Sequence, residues 1–274
     1  MRIEDQKLRH WIDNFYGYGS WNAPFWFVGY EESGGDVPEE VADKIYYFQR
    51  AHPEKEPALC DVRKLYKDVS TYEEGVKGEK FRNRFAYRFG PEAVPHGVWK
   101  NLIAFMHGYQ RKKVPDLLGY QKSRFLSPAA ADAALISLYP LPSPHGHAWY
   151  YAWLDMPSMP FLKTRSAYET LVYPHRMRTL MEMMAKHQPE VVLMYGMNNI
   201  NHLKATVQAH HSTARFTQVK SVHRVTPQYH RAALAGTQLL ITTQIPSLRH
   251  NRVETGFDWK EFGRAVNASR PVDK

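Results

Sequence analysis

Four short apolar runs, each broken at its end by small or polar residues, limit what this chain can fold into more than any other feature. They are PFWFVGYEES (24–33), AALISLYPLPSP (133–144), EVVLMYGMNN (190–199) and TQLLITTQIPS (237–247). Their apolar cores are too short for buried helices and are flanked by turn residues, which is the signature of strands covered on both faces. Stretches with helical spacing lie between them. The clearest is YPHRMRTLMEMMAKHQ (173–188), where Met177, Leu180, Met181 and Met184 recur at i, i+3, i+4 and i+7, with Pro174 near the expected start. A methionine stripe at that spacing predicts core packing. Gly196 then turns the chain out of the third run, and Asn198 or Asn199 is placed to cap another helix. The alternation predicts an α/β protein: a three-layer αβα sandwich around a short, mainly parallel four-stranded sheet. Ligands of such sheets bind beyond the carboxyl ends of the strands, where all four runs end in unusual residues.

About a hundred residues separate the first two runs, far more than a crossover needs, so that stretch must hold structure of its own. PEEVADKIYYFQRAHP (38–53) and PALCDVRKLYKDVS (57–70) have helical character, with Val41, Ile45 and Phe48 on one stripe. The expectation is a single domain over 1–274 with an inserted helical cap at about 36–95. The end of that insertion, GVKGEKFRNRFAYRFG (75–90), interleaves basic and aromatic residues, which fits either a surface for unstacked bases or a solvated face with aromatic anchors.

Thirty-six Lys and Arg against 27 Asp and Glu give a formal net charge of +9, which makes a polyanion a natural partner. The single cysteine, Cys60, excludes an internal disulfide and a thiolate zinc cluster and fits a reducing compartment. The opening MRIEDQKLRHWIDNF lacks the apolar stretch of a signal peptide, and no apolar run approaches the roughly 18 to 20 residues of a membrane span. A soluble cytoplasmic protein is expected. His145 and His147, and the AHHS at 209–212, lack the separated partners of a zinc motif, so no metal is expected.

The first run poses the chemical question. GYEESGG is a glycine-rich turn after a strand, but side-by-side carboxylates would repel a phosphate held there. Cleavage of a glycosidic bond suits them better, because it builds positive charge on the sugar that a carboxylate stabilises while orienting water. Alternatively both glutamates are first-turn residues favoured by a helix dipole.

Taken in order, the four strand ends resemble the uracil-DNA glycosylase superfamily over most of the chain outside 36–80. VGYEESGG is similar to the family's first motif, with Gly29 matched, Tyr30 at the neighbouring pocket position and Glu31 at the water-positioning place; Glu32 is the adjacent candidate. VPHGVWKNLIAFM (94–106) is similar to the family's proline-led helix, and Tyr87 or Phe89 just before it would stack on the flipped base. ISLYPLPSP keeps the family's backbone-gripping loop with Ser143, but Ser137 stands where an Asn is expected. QIPSLRHNR keeps Pro246 and Ser247 of the last motif, with Leu248 and Arg249 as its wedge, while Ile245 replaces its His and His250 is the substitute at hand.

The resemblance implies a monofunctional DNA glycosylase that needs no cofactor, acts as a monomer away from membranes, and grips DNA through Ser143, Ser247, Leu248, Arg249, Asn251 and Arg252. Its catalytic candidates are Glu31, Glu32 and His250, and its base pocket draws on Gly29, Tyr30, Tyr87, Phe89, Ser137 and Ile245. The two departures at 137 and 245 point to a modified, bulky base such as the glucosylated hydroxymethylcytosine of phage DNA. Excision of uracil, a catalytically inactive DNA-binding module and an unrelated nucleotide enzyme are the alternatives.

Overall fold

The computed structural model describes residues 3–35, 37–69, 84–143, 149–154, 156–247 and 256–269. The four apolar runs become β2 (Phe25–Glu31), β4 (Ala133–Tyr139), β5 (Val191–Tyr195) and β8 (Thr237–Ile241). They lie side by side and parallel, in the order β4-β2-β5-β8. The α/β class follows directly. The expected four-stranded sheet is corrected, because among the described residues the sheet has eight strands and is mixed: β3-β1-β4-β2-β5-β8-β7-β6.

The additional strands have identifiable causes. Strand β1 (Phe15–Gly19) runs antiparallel to β4, and its sequence FYGYG reads as a turn because two of its five residues are glycine. Those glycines are what permit the pairing. Gly17 has φ +132°, and a Cβ there would lie 2.0 Å from the Leu135 carbonyl oxygen. Strand β7 (Tyr229–Leu234) folds back on β8 through Ala235 and Gly236, both at positive φ, as a tight hairpin requires. The two edge strands β3 (Ala58–Cys60) and β6 (Thr217–Val219) are three residues long, too short to show alternation.

Strand β3 also revises the inserted cap. The segment holds α2 (Pro38–Ala51), α3 (Val62–Asp68) and α4 (Arg84–Phe89), as helical spacing predicts, with Val41, Ile45 and Phe48 fully buried. It is not purely helical, however, since β3 pairs in parallel with β1 and extends the sheet.

Helices cover both faces. Helix α5 (Gly97–Tyr109) packs Phe105 on Phe27 and Tyr109 on Phe25, with ring centroids 6.1 and 5.5 Å apart. Trp26, which points the other way from β2, meets His187 at the end of α7 (Arg165–His187). Right-handed crossovers demand this division, because the chain leaves β2 toward one edge and leaves β4 toward the other. The switch of direction opens a crevice at the carboxyl ends of β2, β4 and β5.

Helix α7 carries the methionine stripe, with Met177, Leu180, Met181 and Met184 all buried. It starts at Arg165, capped by the Thr164 hydroxyl, so Pro174 lies inside the helix rather than near its start. Pro174 is on the exposed side, where water can replace the lost backbone bond. Arg176, fully buried on the opposite side, donates to the carbonyls of Phe15, Ser137 and Leu138 and lies 3.5 Å from the Tyr16 ring. One guanidinium thereby ties α7 to β1 and β4.

Gly17→Ala should force β1 off β4 and cost about 3 kcal/mol, lowering the melting temperature by roughly 6 to 12 °C in a thermal denaturation scan.

Candidate functional site

The two glutamates at the end of β2 go to different places. Strand geometry sends consecutive side chains to opposite sides, and Glu32, just past the strand, turns inward until only 3% of it is exposed. Its carboxylate accepts from the Tyr18 hydroxyl at 2.7 Å and from the Ser137 hydroxyl at 2.8 Å. Lys44 on α2 acts on it electrostatically, while itself ion-paired to the equally buried Glu40 at 3.1 Å. Burial pushes the Glu32 pKa up, against the pull of Lys44 and the two hydroxyls. Glu32 therefore ties β1, β2 and β4 together and is shut off from solvent. Ser137 is engaged in the same knot and does not offer its hydroxyl to a ligand.

Glu31 stays at the surface of the crevice, with about a quarter of its side chain exposed. It accepts from the Arg165 guanidinium at 2.5 Å, and the other terminal nitrogen of Arg165 donates to the Ser143 hydroxyl at 2.6 Å. A third carboxylate, Glu169, lies 3.9 Å from the same guanidinium. A cation in the first turn of α7 opposes the helix dipole, and these two glutamates offset that. The Trp149 ring, 5.2 Å from the guanidinium, fixes it from another side. Burial raises the Glu31 pKa above the usual carboxylate range and Arg165 pulls it back.

Tyr30 points to the α7 face, with its ring 4.9 Å from that of Tyr139 and its hydroxyl against Glu169. It lines a cleft of about 650 Å³ between α7 and α8 (Ile200–His210). The remaining polar lining comes from Glu169, Asn198, Asn199, His202, His210 and neighbouring hydroxyls, with no Lys or Arg among the described residues. The volume lies within the roughly 300 to 1,000 Å³ of ordinary small-molecule sites. Asn199 caps α8 by accepting from the His202 amide, which leaves Asn198 as the exposed amide at the end of β5. Glu31 does not line this cleft; it is joined to it through Arg165 and Glu169.

Gly29 sits in register between Ser137 and Tyr195. A Cβ there would come within 2.9 Å of the Tyr195 hydroxyl, so glycine at 29 is what lets that ring lie across β2. Ile245 is half exposed and leans on Gly196, while Ser247 is half-buried, its amide bonded to the Ile245 carbonyl. Phe89 packs among Tyr66, Phe85, Trp99 and Arg63, and Tyr87 lies under Arg88. Phe89 anchors α4 to its neighbours, and neither ring lines the α7–α8 cleft. Leu248, Arg249, His250, Asn251 and Arg252 lie outside the described residues, as do His145, His147 and residues 75–83.

Of the expected site residues, the fold thus brings Tyr30, Glu31 and Ser143 together at one mouth and places Glu32 and Ser137 directly behind them. It adds Arg165, Glu169, Trp149 and Tyr195, which sequence reasoning missed. Arg165 lies in the stretch KTRSAYE, where Thr164 is a recognisable helix cap, but nothing local pairs it with a glutamate 134 residues away.

Glu32→Ala should cost about 3 kcal/mol of stability, since it strands two buried hydroxyls. Glu32→Gln should cost much less and should also change the pH dependence of stability. With its folded pKa raised, Glu32 contributes fully below the ordinary carboxylate pKa and progressively less as pH rises through the folded value. Denaturant titrations across that range should show the decline in the parent and a flatter profile in Glu32→Gln. Searched against protein-family models and curated proteins, the chain matches none of them, so the chemistry of the crevice is what bears on function.

Proposed function

We propose that the protein is a monofunctional DNA glycosylase of the uracil-DNA glycosylase type, which flips a modified base out of DNA and hydrolyses its N-glycosidic bond. The observation that carries this reading is the placement of Glu31. It is a partly exposed carboxylate at the carboxyl end of the central parallel strand, fixed by Arg165 and Ser143 beside a roomy cleft. The parallel order β4-β2-β5-β8 brings the ends of all four runs to one edge of the sheet, as this reading requires.

In this mechanism the bond between the anomeric carbon and the base nitrogen breaks, with its electron pair leaving on the base, which then takes a proton. Ionised Glu31 stabilises the positive charge left on the sugar and orients a water whose oxygen bonds to the anomeric carbon; the water's proton passes to Glu31 and then to solvent. An abasic site remains. Lys44 is buried and paired with Glu40, so it is not placed to form a Schiff base with that site.

The cleft supports a modified base over uracil. Its volume exceeds what a pyrimidine ring fills, and its described lining carries hydroxyls, amides, a carboxylate and the imidazoles of His202 and His210 with no Lys or Arg, which offers hydrogen-bond partners to a polar substituent. Ser137 is held by Glu32, and Asn198 is the amide at a neighbouring strand end that can read a base edge instead. Glucosylated hydroxymethylcytosine of phage DNA, excised as an anti-phage defence, is the substrate we favour within this class. The net charge of +9 fits a DNA partner whose affinity falls with salt. A second reading, a DNA-binding module without activity, is favoured by the ion pair that neutralises Glu31.

The two readings separate on base release, followed by mass spectrometry and by alkali-sensitive abasic sites on uracil-containing, unmodified and glucosylated phage DNA. Release from one substrate that falls at least 100-fold in Glu31→Gln, with DNA binding retained, is the expected result. No release from any of them favours the inactive module. Where release occurs, the rate should rise with pH through the Glu31 pKa, because the ionised form is the working one. Arg165→Met removes the group that pulls this pKa down, so the acid limb of kcat/KM should move to higher pH; an unmoved limb would take the titration away from Glu31.

A further inference from the structure

Among the described residues Trp153 is 86% exposed, well beyond the next most exposed large apolar side chains, Val222 at 54% and Val94 at 53%. Isolated apolar residues at a surface need no explanation, but a whole indole held out in water is uncommon, because tryptophan carries the largest apolar surface of any side chain. Trp153 ends a short 3-10 turn, Tyr150–Trp153, in the connection between β4 and α7, the two elements flanking Ser143 and Arg165.

Tyr151 in that turn is fully buried and donates to the Pro142 carbonyl at 2.8 Å. Trp149, just before it, donates to the Leu162 carbonyl at 2.7 Å, packs on Tyr151 and Tyr168, and carries Arg165 on its face. The turn is therefore pinned on its inner side while Trp153 projects from its outer side. Against Trp153 lies a shallow cleft of about 450 Å³ lined by methionine, proline and leucine, with Lys163 as the one charged side chain among its described lining.

We propose that Trp153 is a stacking residue for the bound DNA strand, receiving an unpaired base on its indole face while Lys163 meets an adjoining phosphate. An aromatic platform next to a cation, on a chain of net charge +9, is complementary to a nucleotide, whose base offers a π-face and whose backbone is anionic. Continuity favours the same occupant. The segment that presents Trp153 is the one that holds, through Trp149, the guanidinium on Glu31, so the platform and the Glu31 crevice share one connection of the chain. The assignment rests on the DNA reading of the crevice, but it concerns binding and not bond cleavage.

The test measures affinity for single-stranded and duplex oligonucleotides over a salt series, with Trp153→Ala, Trp153→Phe and Lys163→Ala beside the parent chain. Circular dichroism melts and light scattering report folding and association state. Trp153→Ala should weaken single-strand binding by about 5- to 150-fold, with the slope of log affinity against log salt unchanged, because stacking releases no counterions. Trp153→Phe should keep most of the affinity. Lys163→Ala should reduce the steepness of that slope by about 0.7, the value for one phosphate contact on a single strand.

Unchanged affinity in a folded Trp153→Ala overturns the proposal, as does failure of the parent chain to bind DNA at all. A change in association state without loss of DNA affinity also overturns it and makes this face a contact between protein molecules. If Glu31→Gln and the parent release no base from any substrate while Trp153→Ala still loses affinity, the glycosylase reading fails and the stacking role stands.

Discussion

The buried carboxylate of Glu32 is the interaction on which the arrangement of this crevice depends. A carboxylate is costly to take out of water unless its oxygens are satisfied, and here each oxygen accepts one hydroxyl, from Tyr18 on β1 and Ser137 on β4. One donor comes from β4, the neighbour of β2, and the other from β1, the next strand out, and β1 reaches its place only because glycine at 17 allows the close approach to β4. Removing Glu32 from solvent therefore fixes where β2 ends and which way the next carboxylate faces. Glu31 is left at the mouth because Glu32 is held behind it. Adjacent residues of identical chemistry divide the work: one organises the strand ends and the other meets the crevice.

Helix α7 supplies the second constraint through two arginines. Arg176 satisfies backbone carbonyls of β1 and β4 from within the core, and Arg165 spans Glu31, Ser143 and Glu169 at the surface. The first fixes the helix against the sheet, and the second carries that position to the functional groups. Charge held in this way is preorganised, so it need not rearrange when an opposite charge comes to the crevice. The same pairing holds Glu31 partly neutralised, which places its effective basicity under the control of one side chain on a neighbouring element.

Much of the fold was legible because it depends on local patterns. The four parallel strands, the Val41–Ile45–Phe48 stripe, the methionine face of α7 and the asparagine cap of α8 follow from periodicity and capping chemistry that a short window contains. The four other strands did not show, since β1 carries the glycines of a turn, β3 and β6 have three residues each, and the polar pair His230 and Arg231 in β7 breaks any apolar run or alternation. Each is a strand by virtue of its partner. The start of α7 was hidden by Pro174, which local rules place at a helix beginning and which the exposed side of a long helix tolerates.

By itself, the sequence determined the α/β class, the parallel core and the presence of two carboxylates at the end of its first strand, because spacing and turn chemistry are written in consecutive residues. Which carboxylate is buried, and which is exposed, was decided by tertiary structure. That outcome depends on Tyr18, Ser137 and Arg165, which stand 14, 105 and 134 residues from their partners. Hydrogen bonds of that reach are set by how strands and helices pack, and a single chain read in order carries no local trace of them.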